Sequence, residues 1–338
     1  LKKFSAPCTC GKAHTISVKG IWVEPDALRR LPDLIQKNGW KTPVVICDDY
    51  TRLAAGDRAA ELLPKSMLIC LPSEGLHANE RGVAFVKERL PKSDVLIAAG
   101  SGTIHDITRF IAHEQGLPFV SIPTAASVDG FVSTVAAMTW NGCKKTFPAV
   151  APSYVLADSA IFSRAPMRLT LSGVCDLLGK DIALADWRIS HAVTGEYFCQ
   201  KICDMELAAL ELVKNHLSEI REGGQQACEE LMYGLLLSGL AMQMVGNSRP
   251  ASGAEHHFSH LWEMELINPT IDAYHGEKVG VGLLLAARKY HAAKVRFLSD
   301  VPTPKPWTGI EMELIRAHAS GTILEGILQE NTPDPLAN

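Results

Sequence analysis

Val95-Leu96-Ile97-Ala98-Ala99-Gly100-Ser101-Gly102-Thr103 is the stretch that decides the fold. Its continuous apolar run suits a strand buried on both faces, and its small-residue turn opens a helical stretch over 103–114. Glycines at such a turn permit close backbone approach. The helix N-terminus adds free N–H groups and partial positive charge, a setting that holds phosphates. The turn falls short of a full dinucleotide fingerprint, because the third glycine would stand at 105, which is His105, and the lysine of a P-loop is absent. A plain strand-to-helix turn is the alternative reading.

Working outward, similar apolar runs recur at 44–47, 67–71, 119–122 and 154–157. The stretches 52–63, 77–90 and 103–114 between them are long enough for crossover helices, so a parallel α/β sheet is expected. Beyond residue 167 the pattern changes to helices, read at 171–194, 199–217, 225–245, 254–266, 277–293 and 311–328. The expected organisation is an α/β dinucleotide-binding domain over 1–165 and an all-α metal and substrate domain over 166–338. The division falls near Pro166, which disfavours helix for the residue before it. Residues 128–147 read as an excursion from the sheet, with a hairpin through Trp140-Asn141-Gly142-Cys143. The tail 331–338 reads as loose.

Composition narrows the function. A chain of 338 residues with 47% hydrophobic and 21% charged residues has the make-up of an ordinary soluble protein with two domains and a cleft between them. A formal charge of -4 without a Lys/Arg block argues against nucleic acid as partner. No apolar run approaches the roughly 20 residues that span a bilayer, and no charged-then-apolar leader opens the chain at Leu1. A small-molecule partner is expected. The nine cysteines stand in mixed settings and read as reduced thiols in a cytoplasm. Cys8-Thr9-Cys10-Gly11 with His14 offers zinc-ligand chemistry, but two cysteines and one histidine leave a structural zinc site incomplete.

The chemistry concentrates downstream. In Ser248 to His260, His256 and His260 are four residues apart and share one helix face, while His257 points roughly 100° away. A carboxylate and two histidines are a common way to hold a divalent ion with a position free for substrate. The alternative is a pair of half-buried or decorative histidines. Asp176 lies inside an apolar helical stretch, where an unpaired carboxylate is costly, so it needs a cation or several donors. Either a metal or Lys180, one turn later, would meet that need. His275 precedes Gly276-Glu277 and reads equally as a helix-start residue.

Asp48 ends the run 44–47, where a carboxylate hydrogen-bonds a nucleotide ribose and repels a 2′-phosphate, or else caps the helix near Thr51. Pro123 to Gly130 forms a small-residue loop at a strand's C-terminal end, where open α/β sheets bind ligands. Thr124, Ser127 and Ser133 offer hydroxyls there, and Asp129 suits a polyol hydroxyl.

Together these residues resemble the sn-glycerol-1-phosphate dehydrogenases, most closely their bacterial branch, within the group of iron-containing alcohol dehydrogenases, glycerol dehydrogenases and dehydroquinate synthases. The likeness runs from about Val44 to Val281. It is carried by Pro123-Thr124-Ala125-Ala126-Ser127 with Asp129-Gly130, by Asp176-Leu177-Leu178-Gly179-Lys180, and by Ser248-Arg249-Pro250 through His260. The resemblance implies a dehydroquinate synthase-like fold and Asp176, His256 and His275 as ligands of one divalent metal, zinc or nickel. It implies Asp129 and His260 as substrate-binding residues, with Asp176 also touching substrate. Gly100, Ser101, Gly102, Thr103, Thr124 and Ser133 match nucleotide-binding positions. The expected reaction is reversible reduction of dihydroxyacetone phosphate to sn-glycerol 1-phosphate with NADH or NADPH, in a homodimer. Arg249 and Lys180 are the cations assigned to the substrate phosphate. A glycerol or other polyol dehydrogenase of the same fold is the alternative.

Overall fold

The computed structural model describes residues 7–263, 271–299 and 309–330. Its main sheet has six strands: β1 (Gly20–Glu24), β2 (Pro43–Asp48), β3 (Met67–Leu71), β4 (Val95–Gly100), β5 (Phe119–Pro123) and β8 (Tyr154–Asp158), in spatial order β1-β8-β5-β4-β2-β3. Every pairing is parallel. β4, β5 and β8 are buried along their whole length, which is why they read as unbroken apolar runs. β3 lies at the sheet edge and its burial alternates more. β1 escaped the sequence reading: all five of its residues are only half-buried, and it pairs with β8 at the opposite edge.

The order contains a switch point. The chain leaves β2 toward β3 on one side and leaves β4 toward β5 on the other, so a crevice opens beyond the carboxyl ends of β2 and β4. Asp48 ends one of these strands and Gly100 the other.

Between β5 and β8 the chain makes the expected excursion, the antiparallel pair β6 (Val135–Trp140) and β7 (Cys143–Pro148). Asn141 and Gly142 both have positive φ, 52° and 72°, the signature of a two-residue hairpin turn. Fully buried Arg109 pins the start of this excursion, donating to the carbonyls of Phe131 at 3.1 Å, Ser133 at 3.1 Å and Val135 at 3.2 Å.

From Met167 the described chain is helical. Helix Gln225–Val245 has the bounds read from sequence, but two expected helices are each divided. The stretch 171–194 forms Met167–Leu178 and Lys180–Thr194 around Gly179, and 311–328 forms Gly309–His318 and Gly321–Glu330, broken before Gly321 at φ 56°. Both breaks stand at glycines, where helix is held most weakly. Helix Ala254–Trp262 carries the histidine pair, and His275–Ser299 is longer than expected at both ends. Residues 264–266 and the tail 331–338 lie outside the described residues.

One apolar cluster joins the halves. It contains Val18, Ala126, Phe131 and Val155 from the first half, and Leu177, Trp187, Leu210, Leu235 and Leu240 from the second.

Candidate active site

Asp176 occupies the last turn of helix Met167–Leu178 and has no solvent exposure. The helix reaches this position because Gly173 presses against the 123–130 loop; a Cβ there would stand 2.0 Å from the Ala126 carbonyl oxygen. Helix His275–Ser299 starts with a similar approach, since a Cβ on Gly276 would meet the Ser172 carbonyl oxygen at 1.8 Å. Two glycines therefore let three segments converge, bringing loop, carboxylate and His275 together.

Donor atoms of Asp176, His256 and His275 all lie within 4.8 Å of one another. His256 Nε2 is 3.4 Å from Asp176 Oδ1, which matches the edge of about 3.4 Å in a tetrahedron of metal bonds near 2.1 Å. Each imidazole is oriented from behind by a carboxylate. His256 Nδ1 donates to Glu255 Oε1 at 2.6 Å, and His275 Nδ1 to Glu263 Oε1 at 2.8 Å. Such bonds fix the tautomer and leave the other ring nitrogen as a lone pair, as metal-binding histidines require. The residues present thus fit one divalent ion. Glu263 is drawn in from the far side by Lys144 on β7, at 3.1 Å.

His260 completes a ring of imidazoles, its centroid 5.9 Å from that of His256 and 5.8 Å from that of His275. Burial and the two neighbouring histidines push its pKa down to about 3, so it is neutral at physiological pH. His257 is exposed, on the other side of the helix as its spacing predicts.

The carboxylates form a network around Lys180, whose role in it was underestimated from sequence. Lys180 is fully buried and directs its three N–H donors to Asp129 Oδ2 at 2.8 Å, Asp176 Oδ1 at 3.0 Å and the Ala251 carbonyl at 2.9 Å. It therefore has no donor left for a substrate phosphate, which corrects the sequence assignment. Arg249, the other assigned cation, is paired with Glu196 at 2.8 Å. Asp176 Oδ2 accepts from the Asp129 backbone N–H at 3.0 Å, and Ser238 donates to Asp129 Oδ2 at 2.9 Å. Burial alone would raise the Asp176 carboxyl, but Lys180, His256 and His275 together hold it well below the carboxylate range. The metal reading and the Lys180 pair stood as alternatives in the sequence; Asp176 supports both, because its two oxygens have lone pairs enough.

Glu206 lies buried behind this network, and neither of its oxygens has a hydrogen-bond partner among the described residues. Burial, with the Asp129 charge adding to it against Lys180, pushes its pKa up to about 8. Nothing in the spacing around Glu206 marked it in advance, since its environment comes from residues far away in sequence.

At the crevice, the Gly100 turn takes the shape its sequence implies. A Cβ on Gly100 would stand 2.5 Å from Ile104 Cβ, so a side chain here would push the helix off the strand. Ser101 precedes helix Gly102–Gln115 with an extended backbone and no side-chain cap. His105, in place of a third glycine, bonds the Ser101 carbonyl through Nδ1 at 2.9 Å and Ser121 Oγ through Nε2 at 2.7 Å. Its burial lowers its pKa to about 3, so this clamp is neutral. Thr124, Ser127 and Ser133 are buried beside the turn's strand, and Thr103 is half-buried. Ser133 Oγ accepts from Val135 N at 3.0 Å. Asp48 caps the helix that follows it, accepting from Thr51 N at 2.8 Å while Thr51 Oγ1 accepts from Asp48 N at 2.9 Å.

Known proteins resemble this chain. The family described as iron-containing alcohol dehydrogenase matches residues 22–166. A glycerol-1-phosphate dehydrogenase [NAD(P)+] from Geobacillus stearothermophilus is 35% identical over 97% of this chain and 83% of its own length. Another of the same name from Bacillus velezensis is 39% identical over 81% of this chain and 72% of its own. Among solved structures, a glycerol dehydrogenase from Schizosaccharomyces pombe superposes with TM-score 0.68 at 22% identity, covering 82% of this chain and 73% of that one; the likeness is one of fold. Identity at this level along nearly the whole chain places the protein within a family: it belongs to the glycerol-1-phosphate dehydrogenases, in the group of iron-containing alcohol dehydrogenases.

Proposed function

We infer that this chain is an NAD(P)-dependent oxidoreductase that reversibly reduces dihydroxyacetone phosphate to sn-glycerol 1-phosphate. The observation that carries the reading is the convergence of Asp176, His256 and His275 in a chain whose relatives share that name over most of their length. In the reaction the C2 carbonyl gains a hydride from the reduced nicotinamide and a proton, and becomes a secondary alcohol.

Asp176, His256 and His275 would hold one divalent metal, zinc or nickel. When bound, it supplies Lewis-acid polarisation of the substrate carbonyl and stabilises the negative charge that grows on its oxygen. The chain's own residues do the rest. Glu255 and Glu263 hold the two imidazoles in one tautomer and one orientation. Lys180 keeps Asp176 ionised and holds both Asp176 and Asp129 in place through its ion pairs. Neutral His260 retains one ring N–H and one lone pair, and with them orients a substrate hydroxyl without adding positive charge beside the metal ligands. Asp129 is placed to accept from a substrate hydroxyl.

The nucleotide's place is the crevice beyond β2 and β4. Gly100, Ser101, Gly102 and Thr103 would offer N–H groups to its pyrophosphate, Thr124, Ser127 and Ser133 hydroxyls nearby, and Asp48 a carboxylate to the adenosine ribose, with either NAD or NADP bound. We also propose two functional domains, 1–165 and 166–338, acting in a cytoplasmic homodimer without a nucleic-acid or membrane partner. No described helix is long and apolar enough to cross a membrane. The described cysteines are free thiols, which suits a reducing compartment.

The test follows nicotinamide absorbance with dihydroxyacetone phosphate before and after chelation, and again with zinc or nickel restored, then identifies the product enantiomer. Metal-restored activity yielding sn-glycerol 1-phosphate is expected. Activity indifferent to thorough chelation overturns the metal roles, and faster turnover of free glycerol than of glycerol 1-phosphate replaces the substrate by an unphosphorylated polyol.

A further inference from the structure

A second group of ligand side chains lies in residues the reaction does not use. Cys8, Cys10, His14 and Cys199 bring three sulfurs and one imidazole nitrogen within 4.8 Å of one another. Sequence alone supplied three of them; the fourth arrives from the N-terminal edge of helix Gln200–Asn215, 191 residues from Cys8.

The spacing is that of a coordination shell. A tetrahedral ion with bonds of about 2.3 Å to sulfur and about 2.0–2.1 Å to nitrogen sets its sulfurs about 3.8 Å apart and each sulfur about 3.6 Å from the nitrogen. Cys8 Sγ and Cys199 Sγ are 3.6 Å apart, Cys10 Sγ is 3.4 Å from His14 Nε2, and Cys199 Sγ is 3.6 Å from that same nitrogen. Cys8 and Cys199 stand much too far apart for a disulfide bond of about 2.05 Å, and all three cysteines are free.

The surroundings supply the outer contacts such a centre needs. His14 is buried, and its Nδ1 donates to the Met244 carbonyl at 2.9 Å. That bond makes Nε2 the lone-pair nitrogen and turns it toward the sulfurs. Tyr197 Oη lies 3.2 Å from Cys10 Sγ and can donate to a thiolate there. The turn carrying both early cysteines is closed by a 3.1 Å bond from Gly11 N to the Cys8 carbonyl, with Gly11 at φ 82°. Three thiolates and an imidazole, with no carboxylate among them, fill four positions and leave none for substrate, the pattern of a structural rather than a catalytic zinc.

We propose that Cys8, Cys10, His14 and Cys199 bind a second metal ion, a structural zinc that staples the N-terminal segment to the helical half before that segment enters the sheet as β1. The segment packs on the cluster of Leu210, Leu231 and Leu235 through Val18, Ile16, Cys8 and Cys10, so the ion would lock a contact that apolar burial already favours.

The test uses the full chain with the Asp176 site disabled by His256→Ala, so that any metal left belongs to the second site. One zinc per chain is expected by elemental analysis. Cobalt substitution should give tetrahedral visible bands and an intense near-ultraviolet thiolate charge-transfer band, both lost on adding Cys199→Ser. Should Cys199→Ser fail to fold, the His256→Ala protein itself is titrated with a mercurial, and its one zinc should be released as the thiols of Cys8, Cys10 and Cys199 react. Absence of the thiolate–cobalt band in His256→Ala, zinc retained after thiol modification, or a Cys8–Cys199 disulfide in the freshly purified protein would each overturn the proposal.

Discussion

Lys180 and Asp176 form an ion pair without solvent exposure on either side chain, Nζ to Oδ1 at 3.0 Å, one helical turn apart across the Gly179 break. A buried pair is weak evidence of stability, but removing one partner strands the other charge. Lys180→Met should leave Asp129 and Asp176 buried without their cation and lower unfolding free energy by about 3–5 kcal/mol in metal-free protein. Added zinc or nickel should recover part of that loss, because an ion bound only by the folded state stabilises it by mass action. Denaturant melts with and without metal measure both effects. A Lys180→Met protein as stable as wild type would show that the pair does not hold the site's charges.

The second contact of each imidazole leads to a prediction about affinity rather than chemistry. Glu255→Gln replaces the carboxylate that accepts from His256 Nδ1 at 2.6 Å. The neutral amide is a weaker acceptor and can turn its NH₂ toward the ring. Metal affinity should fall roughly 10- to 100-fold, while turnover of fully metal-loaded protein falls much less. Competition with a chromogenic chelator reads the first quantity and saturating-metal kinetics the second. An unchanged affinity would remove Glu255 from the metal centre.

The parts of this molecule that sequence makes legible are those governed by local pattern. β4, β5 and β8 read clearly because strands buried on both faces must be apolar throughout, and the 140–143 hairpin because Asn141 and Gly142 accept positive φ. β1 gave no such signal, since its residues are only half-buried at a sheet edge. The site divides the same way. His256 and His260 announce themselves by helical spacing, but the three acceptors of Lys180 come from residues 129, 176 and 251, and Cys199 reaches Cys8 only through the fold. Long-range partners of a polar side chain leave no local trace. Assigning Lys180 to a phosphate followed its charge; its burial shows that the charge is already used.

Glu206 makes stability depend on pH. Its carboxyl, pushed up to about 8 by burial, binds a proton in the folded protein that the unfolded chain releases near the ordinary glutamate value of 4.5. Between those pH values the folded state holds more protons, so stability from this group is full below about 4.5 and declines as pH rises toward 8, at up to about 1.4 kcal/mol per pH unit. Glu206→Gln cannot ionise and should remove that slope. Its stability advantage over wild type should therefore grow from pH 5 to pH 8 in urea melts. Parallel curves for the two proteins across that range would mean that Glu206 ionises in the fold as it does in water.

Cofactor choice is testable at Asp48, which ends β2 beside the crevice and caps the next helix through Thr51 N. The capping role and the nucleotide role make different demands. A cap needs only a side-chain oxygen, and asparagine serves as well as aspartate. Rejecting a 2′-phosphate needs the negative charge. Asp48→Asn therefore keeps the cap and removes the charge, separating the two roles in one variant. If the carboxylate faces the adenosine ribose, kcat/KM for NADPH relative to NADH should rise roughly three- to tenfold, with the melting temperature within about a degree of wild type because the cap survives. The expected change is in KM for NADPH, since the lost repulsion acts on binding and not on hydride transfer. A ratio that does not move, in a protein equally stable, would leave Asp48 as a helix cap alone and shift the search for the ribose contact to other residues lining the crevice.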